Sequence, residues 1–213
     1  MEKLINHLIE TGYLKTPRII EAFKKIDRAD FVPENFKNEA YLNIPLPIGF
    51  GQTISQPLTV AFMFELLQPE EGDKILDIGF GSGWTSALLA EIVGEKGKIF
   101  AIERIPELCE FGKNNVAKYN FIEKGRAEFI YADGTKGWPD KAPFDKIIAA
   151  ASARKIPQAW KDQLKIGGRL VTPVEGSIWL LIKKSAPHQG HGGGEFEESE
   201  YPGFAFVPLI SEQ

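Results

Sequence analysis

The stretch Asp77-Ile-Gly-Phe-Gly-Ser-Gly-Trp84 decides the fold of this chain. It follows a short apolar run and precedes a pattern of helical spacing, so its glycines form a tight turn where backbone can approach a ligand closely. Gly79, Gly81 and Gly83 give the spacing G-x-G-x-G. The dinucleotide fingerprint G-x-G-x-x-G would require glycine at position 84, which is Trp84 here. We therefore expect the turn to hold a nucleoside without a pyrophosphate, and a dehydrogenase is a distant alternative.

Short apolar runs alternate with helical patterns along the rest of the chain. The predicted strands are residues 74–78, 98–102, 127–132, 145–149 and 169–173. The predicted helices between them are residues 85–93, 106–119 and 157–164. This alternation predicts right-handed crossovers and a doubly wound, Rossmann-like α/β sheet with helices on both faces.

The two ends of the chain follow other patterns. Residues 177–183 and 204–210 have the pattern of two strands without an intervening helix, which predicts seven strands with an antiparallel C-terminal edge. Their glycine-rich connection, residues 185–201, predicts a mobile surface loop. Near the N-terminus, Thr16-Pro17 predicts a helix start.

Residues 30–57 are interrupted by prolines and glycines, so no regular element is expected there. Their apolar side chains favour a functional segment over a disordered one. We expect a single domain over residues 1–213, in which residues 1–70 contribute helices and a covering loop and residues 71–213 form the core.

Acidic residues follow the next two predicted strands. Glu103 ends the second, where α/β sheets place an acid against two ribose hydroxyls. Asp133 and Gly134 follow the third, where a carboxylate can accept a hydrogen bond from an adenine amino group. A lone acid at a strand end is more often a helix cap, but groups at three successive strand ends favour one elongated ligand. The candidate cofactor-binding residues of the core are Asp77, Gly79, Gly81, Ser82, Gly83, Glu103, Asp133 and Gly134.

Composition restricts the partners and the compartment. The formal net charge of -4 provides no broad basic surface, which disfavours duplex nucleic acid and lowers the expectation for RNA. Cys109 is the single cysteine, so intrachain disulfides are excluded and a reducing compartment is favoured. The chain lacks an apolar run long enough for a membrane span or a signal peptide, and we expect a cytoplasmic monomer. His188 and His191 lie among glycines, so we expect no metal site.

Several motifs resemble those of the protein-L-isoaspartate O-methyltransferases, which are class I S-adenosylmethionine-dependent enzymes. The likeness runs over residues 26–210, and its most specific motifs are Gln52-Thr-Ile-Ser-Gln-Pro57 and Phe206-Val-Pro-Leu209. Asp27-Arg-Ala-Asp-Phe-Val-Pro33 and Gln163-Leu-Lys-Ile-Gly-Gly-Arg-Leu170 also match.

The resemblance implies transfer of a methyl group from S-adenosylmethionine to the α-carboxylate of an L-isoaspartyl residue, with S-adenosylhomocysteine as the product. The ester then closes to a succinimide, which reopens partly to normal aspartate and so repairs the protein. The resemblance also implies that Thr53 and Ile54 cover the cofactor, and that Ile54, Ser55, Gln56 and Val207 hold the isoaspartyl peptide.

Ser55 matches the residue assigned the active-site role in the family. From the sequence alone, an N-cap for the helix after Pro57 is an equally good interpretation of this serine. Departures from the family at Ser152, Arg154 and Glu175 leave the acceptor less certain than methyl transfer itself. Two alternatives therefore stay open, namely methylation of a different peptide carboxylate and a cofactor-binding homologue without turnover.

Overall fold

The computed structural model describes residues 1–185 and 195–209. Its helices are α1 Glu2–Glu10, α2 Pro17–Lys25, α3 Pro57–Leu67, α4 Trp84–Val93, α5 Pro106–Ala117 and α6 Gln158–Gln163. Its strands are β1 Leu46–Gly49, β2 Gln52–Ile54, β3 Lys74–Ile78, β4 Lys98–Glu103, β5 Ala127–Tyr131, β6 Phe144–Ala149, β7 Leu164–Val174, β8 Ser177–Lys183 and β9 Phe196–Pro202. Short 3₁₀ helices cover Arg28–Phe31, Glu34–Glu39, Gly134–Lys136 and Pro139–Lys141. Within the described ranges, no helix is long and apolar enough to cross a bilayer.

The main sheet has seven strands in the order β5-β4-β3-β6-β7-β8-β9. The pairs from β5 to β7 are parallel, whereas β8 and β9 add antiparallel to the edge. The chain winds outward from β3 to β5 and then returns to β6 on the other side of β3. This reversal creates a switch point at the carboxyl ends of β3 and β6, where ligands bind in sheets of this kind. The predicted doubly wound sheet with an antiparallel edge is confirmed.

Both faces of the central strands are buried. In β3, Ile75 packs into the cluster that contains α2, α3 and α4, while Leu76 and Ile78 pack into the cluster on the opposite face with Trp160 of α6. Successive side chains of a strand point to opposite faces, and parallel strands covered on both sides therefore consist almost entirely of apolar residues. This packing fixes the carboxyl end of β3, from which the glycine turn begins.

The N-terminal helices belong to the same core as the sheet. Leu8 of α1 and Phe23 of α2 are fully buried in one cluster with Val171 of β7. The Phe23 ring meets the Trp84 ring edge-on, with their centroids 5.5 Å apart. The first residues of the chain thus support the helix that follows the glycine turn.

The C-terminal edge differs from the prediction. Strand β9 pairs with β8 along its whole length, from Ser177 opposite Pro202 to Lys183 opposite Phe196. All of β9 except Pro202 lies in residues 185–201, which were predicted to be a loop. The predicted strand at residues 204–210 is wrong, because residues 203–209 carry only an isolated bridge between Ser152 and Pro208. An edge strand needs only one apolar face, and the glutamates of β9 concealed its pattern. His188 and His191 lie outside the described residues.

The segment expected to be irregular contains a hairpin. Strands β1 and β2 pair antiparallel, with Leu46 opposite Ile54, and both side chains are buried. Gly49, Phe50 and Gly51 at the tip all have positive φ, at 93°, 54° and 69°. The prediction of no regular element was wrong here, because these two glycines form a turn rather than only interrupting a pattern.

Candidate active site

The glycine turn joins β3 to α4 at the switch point. The Gly79 N–H donates to the Ile102 carbonyl at 2.8 Å, which ties the turn to β4. Gly83, the residue before α4, has a φ of 84°, and a Cβ there would lie 2.7 Å from the Gly112 carbonyl oxygen. Glycine is therefore required at this position for conformation and for close packing of α4 against α5.

Asp77 lies beneath this turn rather than in a cavity. Its Oδ2 accepts hydrogen bonds from Thr85 Oγ1 at 2.9 Å and from Ser86 Oγ at 2.6 Å. Its Oδ1 is buried without a hydrogen-bond partner among the described residues. Burial raises the pKa of Asp77 to about 6, against the lowering effect of the two hydroxyl hydrogen bonds. The carboxylate thus anchors the start of α4 to the end of β3.

Glu103 ends β4 with its carboxylate facing the turn. Its Oε2 accepts a hydrogen bond from the Gly81 N–H at 3.1 Å, and its Oε1 accepts from the N–H groups of Arg104 and Ile105 at 2.7 and 2.9 Å. A carboxylate offers about four acceptor positions, so the Oε2 atom has one left for another donor. Glu103 is only 6 % exposed, and it lines the cavity above β3 and β4.

That cavity, here called the cofactor cavity, has a volume of about 810 Å³ including its solvent-filled mouth. Its apolar wall includes Ile102, Ile105 and Leu108, and its charged lining residues are Glu103 and Arg104. The N–H groups of Gly79 and Gly83 donate to the Ile102 and Phe80 carbonyls and that of Gly81 donates to Glu103, so these three groups are not free to hold a pyrophosphate. A nucleoside, by contrast, has apolar walls for its base and a carboxylate for its ribose. The shape and chemistry of the cavity fit an adenosine that carries no phosphate.

Ser55 follows the hairpin and does not cap α3. The Asn43 side chain takes that role, since its Oδ1 accepts a hydrogen bond from the Leu58 N–H at 2.9 Å. The Ser55 hydroxyl forms no hydrogen bond with any residue in the described ranges. The choice that the sequence left open is therefore decided against the N-cap.

A second cavity, the acceptor cavity, opens beside the first. Its lining includes Pro45, Gln56, Thr59 and residues 203–207. Both cavities are lined by four residues in common, namely Thr53, Ser55, Ala150 and Val207. A molecule in one cavity can therefore touch a molecule in the other at this junction.

The structure brings most of the predicted site residues to these cavities. The cofactor cavity is lined by nine of them: Thr53, Ile54, Ser55, Gly79, Gly81, Ser82, Glu103, Gly134 and Val207. Gln56 lines only the acceptor cavity, and its Nε2 donates to the Asn43 carbonyl at 2.9 Å.

Three predicted cofactor-binding residues line neither cavity, namely Asp77, Gly83 and Asp133. Asp133 Oδ1 accepts hydrogen bonds from the N–H and the hydroxyl of Thr135, at 2.9 and 2.8 Å. A direct contact between Asp133 and an adenine amino group stays a prediction.

Sequence reasoning missed the residues that complete the cofactor cavity. Ala150 and Ala151 follow β6 at the switch point, and Ile105 and Leu108 follow Glu103. The carboxyl-end rule applied to β6 would have found the two alanines. The two apolar residues carried no sequence pattern that separates them from ordinary core residues.

A doubly wound sheet in this order, with a G-x-G-x-G turn after its first parallel strand and an acid at the end of the next, defines a class I S-adenosylmethionine-dependent methyltransferase. The comparisons with known proteins identify the family within this class. The family model described as protein-L-isoaspartate(D-aspartate) O-methyltransferase matches residues 1–213. The chain belongs to this family.

Individual relatives agree with this assignment. A protein-L-isoaspartate O-methyltransferase of Methanopyrus kandleri is 42% identical over 216 residues, which cover 100% of this chain and 92% of that protein. One of Ignicoccus hospitalis is 41% identical over 99% of this chain and 97% of its own length. The crystal structure of a Plasmodium falciparum member in complex with S-adenosyl-L-homocysteine shares the fold, with a TM-score of 0.85 at 20% identity over 99% of this chain and 98% of that one. The resemblance found in the motifs is confirmed.

Proposed function

We propose that this protein transfers a methyl group from S-adenosylmethionine to the α-carboxylate of L-isoaspartyl residues in damaged proteins and peptides. The observation that carries the proposal is the junction of the two cavities at Thr53, Ser55, Ala150 and Val207. A methyl donor in one cavity and a peptide carboxylate in the other can meet only at such an opening. The product left in the cofactor cavity is S-adenosylhomocysteine.

The cofactor cavity is proposed to bind the donor through its own groups. One lone pair of Glu103 Oε2 accepts the hydrogen bond from the Gly81 N–H. Its other lone pair accepts a hydrogen bond from a ribose hydroxyl. Ile105 and Leu108 provide the apolar wall for the adenine base. Asp133, two residues beyond β5, accepts from the adenine amino group in this proposal. Ile54 covers the cavity from the hairpin side.

The reaction requires orientation more than proton transfer. S-adenosylmethionine supplies a methyl group that is already activated by a sulfonium. A carboxylate with an ordinary pKa of about 4 is ionised at neutral pH, so the chain needs no general base. The Ser55 hydroxyl, which has no partner among the described residues, donates to this carboxylate and holds it in line. The buried Ile54 and the apolar Val207 limit access of water to the junction.

The peptide is proposed to bind beside residues 203–207. The Val207 carbonyl accepts from the Ser152 N–H at 2.8 Å, which fixes this extended segment at the junction. No hydrogen bond from the Val207 N–H is found in the described part of the chain, so this donor is available to an acceptor peptide. The extra methylene in the main chain of an isoaspartyl residue changes the position of its carboxylate relative to the peptide backbone. A hydrogen bond to the peptide backbone therefore distinguishes isoaspartyl from aspartyl peptides by the position of the carboxylate.

The departures from the family do not alter the acceptor cavity. Arg154 and Glu175 are exposed, and neither residue lines a cavity. The hydrogen bonds of Ser152 to Val207 and Leu209 are between backbone atoms, so they do not depend on its side chain. These positions support divergence within the repair enzymes rather than a new acceptor.

The test uses labelled S-adenosylmethionine with two peptides that differ only in an isoaspartyl or an aspartyl residue. We expect selective labelling of the isoaspartyl peptide, and about a 10- to 100-fold lower kcat for Ser55→Ala because one positioned donor is lost. Ser199→Ala on β9 is the control, because Ser199 lines neither cavity. Equal labelling of both peptides would indicate another carboxylate as the acceptor. Calorimetric binding of the cofactor without any transfer would indicate a binding homologue.

A further inference from the structure

Arg28 lies in the first 3₁₀ helix and is fully buried beneath residues 40–55. Its Nη1 donates to the Ala40 carbonyl at 2.7 Å and, at 3.4 Å, to the Leu42 carbonyl. Its Nη2 donates to the carbonyls of Ile44 at 2.9 Å and Ser55 at 3.1 Å. One guanidinium thus joins backbone groups on both sides of the hairpin. The last of them belongs to the serine at the cavity junction.

The buried charge of Arg28 is not balanced by an ion pair within the described residues. In residues 1–185 and 195–209 no carboxylate pairs with Arg28, and its Nε is buried without a hydrogen-bond partner. Burial lowers the pKa of Arg28 to about 10. A buried charge without a counter-ion opposes folding, so the charge of Arg28 does not account for its presence here. Its distinctive contribution is the planar geometry of the guanidinium donors.

The guanidinium also contacts the wall of the cofactor cavity. Its central carbon lies 5.3 Å from the centre of the Trp84 ring. Trp84 begins α4 directly after the glycine turn, and it lines the cofactor cavity. Arg28 therefore lies between the wall that bounds the methyl donor and the backbone that carries Ser55.

We propose that Arg28 is a positioning residue, which fixes the Ser55 backbone relative to Trp84 and so aims the Ser55 hydroxyl at the junction of the two cavities. This inference rests on the proposed function. Lysine cannot replace arginine in this role, because the three donors on the single nitrogen of an ammonium cannot serve the four carbonyls that the two terminal nitrogens of Arg28 reach on either side of the hairpin. The charge alone is not sufficient.

The test is a double-mutant cycle of Arg28→Lys and Ser55→Ala, measured with saturating isoaspartyl peptide. We expect Arg28→Lys alone to lower kcat at least about 10-fold, and to change the calorimetric Kd of S-adenosylhomocysteine by less than about 3-fold. In the Ser55→Ala background, the same change lowers kcat less than about 2-fold, because the residue acts through Ser55. An equal effect in both backgrounds overturns the inference and leaves the proposed function intact. Wild-type kcat for Ser55→Ala removes the role of Ser55 and overturns this inference, whereas a wild-type protein that does not label the isoaspartyl peptide selectively overturns the proposed function.

Lys183→Met is the matched control for loss of stability. Lys183 is also a buried cation that donates to backbone carbonyls, those of Lys161 at 2.8 Å and Leu164 at 2.7 Å, and it lines neither cavity. We expect this variant to lose stability and to keep the wild-type kcat per folded molecule. Arg28→Gln is the second variant at the site, with the same expected loss of kcat. If both Arg28 variants lack the far-UV circular dichroism of the wild type, the residue serves folding alone and the inference is overturned.

Discussion

The two buried acids of the glycine turn differ in how their charge is compensated. Glu103 accepts three hydrogen bonds from backbone N–H groups. Asp77 accepts two from hydroxyls, and its second oxygen has no partner in the described part of the chain. Burial raises the pKa of Asp77 to about 6, against the lowering effect of the two hydroxyl hydrogen bonds. Its ionisation at neutral pH therefore opposes folding.

We predict that Asp77→Asn removes a pH dependence of stability. Between the ordinary pKa of 3.8 and about 6, the folded state holds a proton on Asp77 that the unfolded state has lost. Because the folded state binds more protons there, the free energy of unfolding falls as the pH rises through this window, by on the order of 3 kcal/mol. Urea unfolding at several pH values between 4 and 7 measures the effect. The exposed Asp140→Asn is the control, and an unchanged pH slope in Asp77→Asn would contradict the prediction.

The position of the Asp77 side chain could have been predicted from the sequence. Leu76 and Ile78 pack on one face of the sheet, so strand alternation sends the Asp77 side chain to the opposite face, under α4. The prediction that Asp77 binds the cofactor, like the other acids near strand ends, did not take this alternation into account. Ser55 is different, because the cap of α3 is supplied by Asn43 from a distant turn. No local pattern predicts a cap that comes from another part of the chain.

At the scale of elements, the position of the glycine turn depends on α5. A Cβ on Gly112 would lie 2.5 Å from the Gly81 carbonyl oxygen and 2.7 Å from Cε2 of the Phe80 ring. This glycine lies within a helix, where alanine is intrinsically better by about 1 kcal/mol. Helix propensity and packing therefore make opposite predictions for its replacement.

We predict that packing prevails in Gly112→Ala. The added methyl group displaces the turn, so the Kd of S-adenosylhomocysteine rises at least about 10-fold and the protein loses roughly 1–3 kcal/mol of stability. Titration calorimetry and urea unfolding measure the two effects. Asn114→Ala, on the exposed face of α5, is the control for helix propensity. A more stable Gly112→Ala variant with wild-type Kd would show that the contact relaxes without cost.

The central elements were more predictable than the peripheral ones. Strands β3 and β4 are buried, mostly apolar runs, and the turn after β3 has a distinctive glycine spacing. Strand β9 is different, since Glu197, Glu198 and Glu200 are exposed on an edge strand whose pairing comes from β8. The extended conformation of β9 depends on its pairing with β8 rather than on the hydrophobic pattern of its own residues. The β1–β2 hairpin likewise depends on burial of Leu46 and Ile54 against the rest of the molecule.

At the scale of the whole molecule, one core holds a site assembled from distant segments. The cofactor cavity is lined by residues 52–55, by the glycine turn, by residues 102–105 and by residues 207–209. The cluster that supports them also includes Leu8, Phe23 and Phe64 of the first three helices. The N-terminal helices therefore contribute to the site although they do not line it. We propose that residues 1–213 act as one cooperative domain.

This proposal predicts a single unfolding transition in calorimetry. Binding of S-adenosylhomocysteine, the product of the cofactor, should move the whole transition to higher temperature. Because S-adenosylhomocysteine binds the folded state, a concentration 100 times its Kd adds about 2.7 kcal/mol of stability. For a chain of this size that corresponds to an increase in Tm of roughly 5–11 °C, at 2–4 °C per kcal/mol. Glu103→Ala removes the ribose acceptor, so its Tm shift at the same concentration should be less than about half as large. A separate low-temperature transition that the ligand does not move would contradict the prediction, because residues 1–70 would then melt independently of the sheet and could not hold Ser55 against the cofactor cavity.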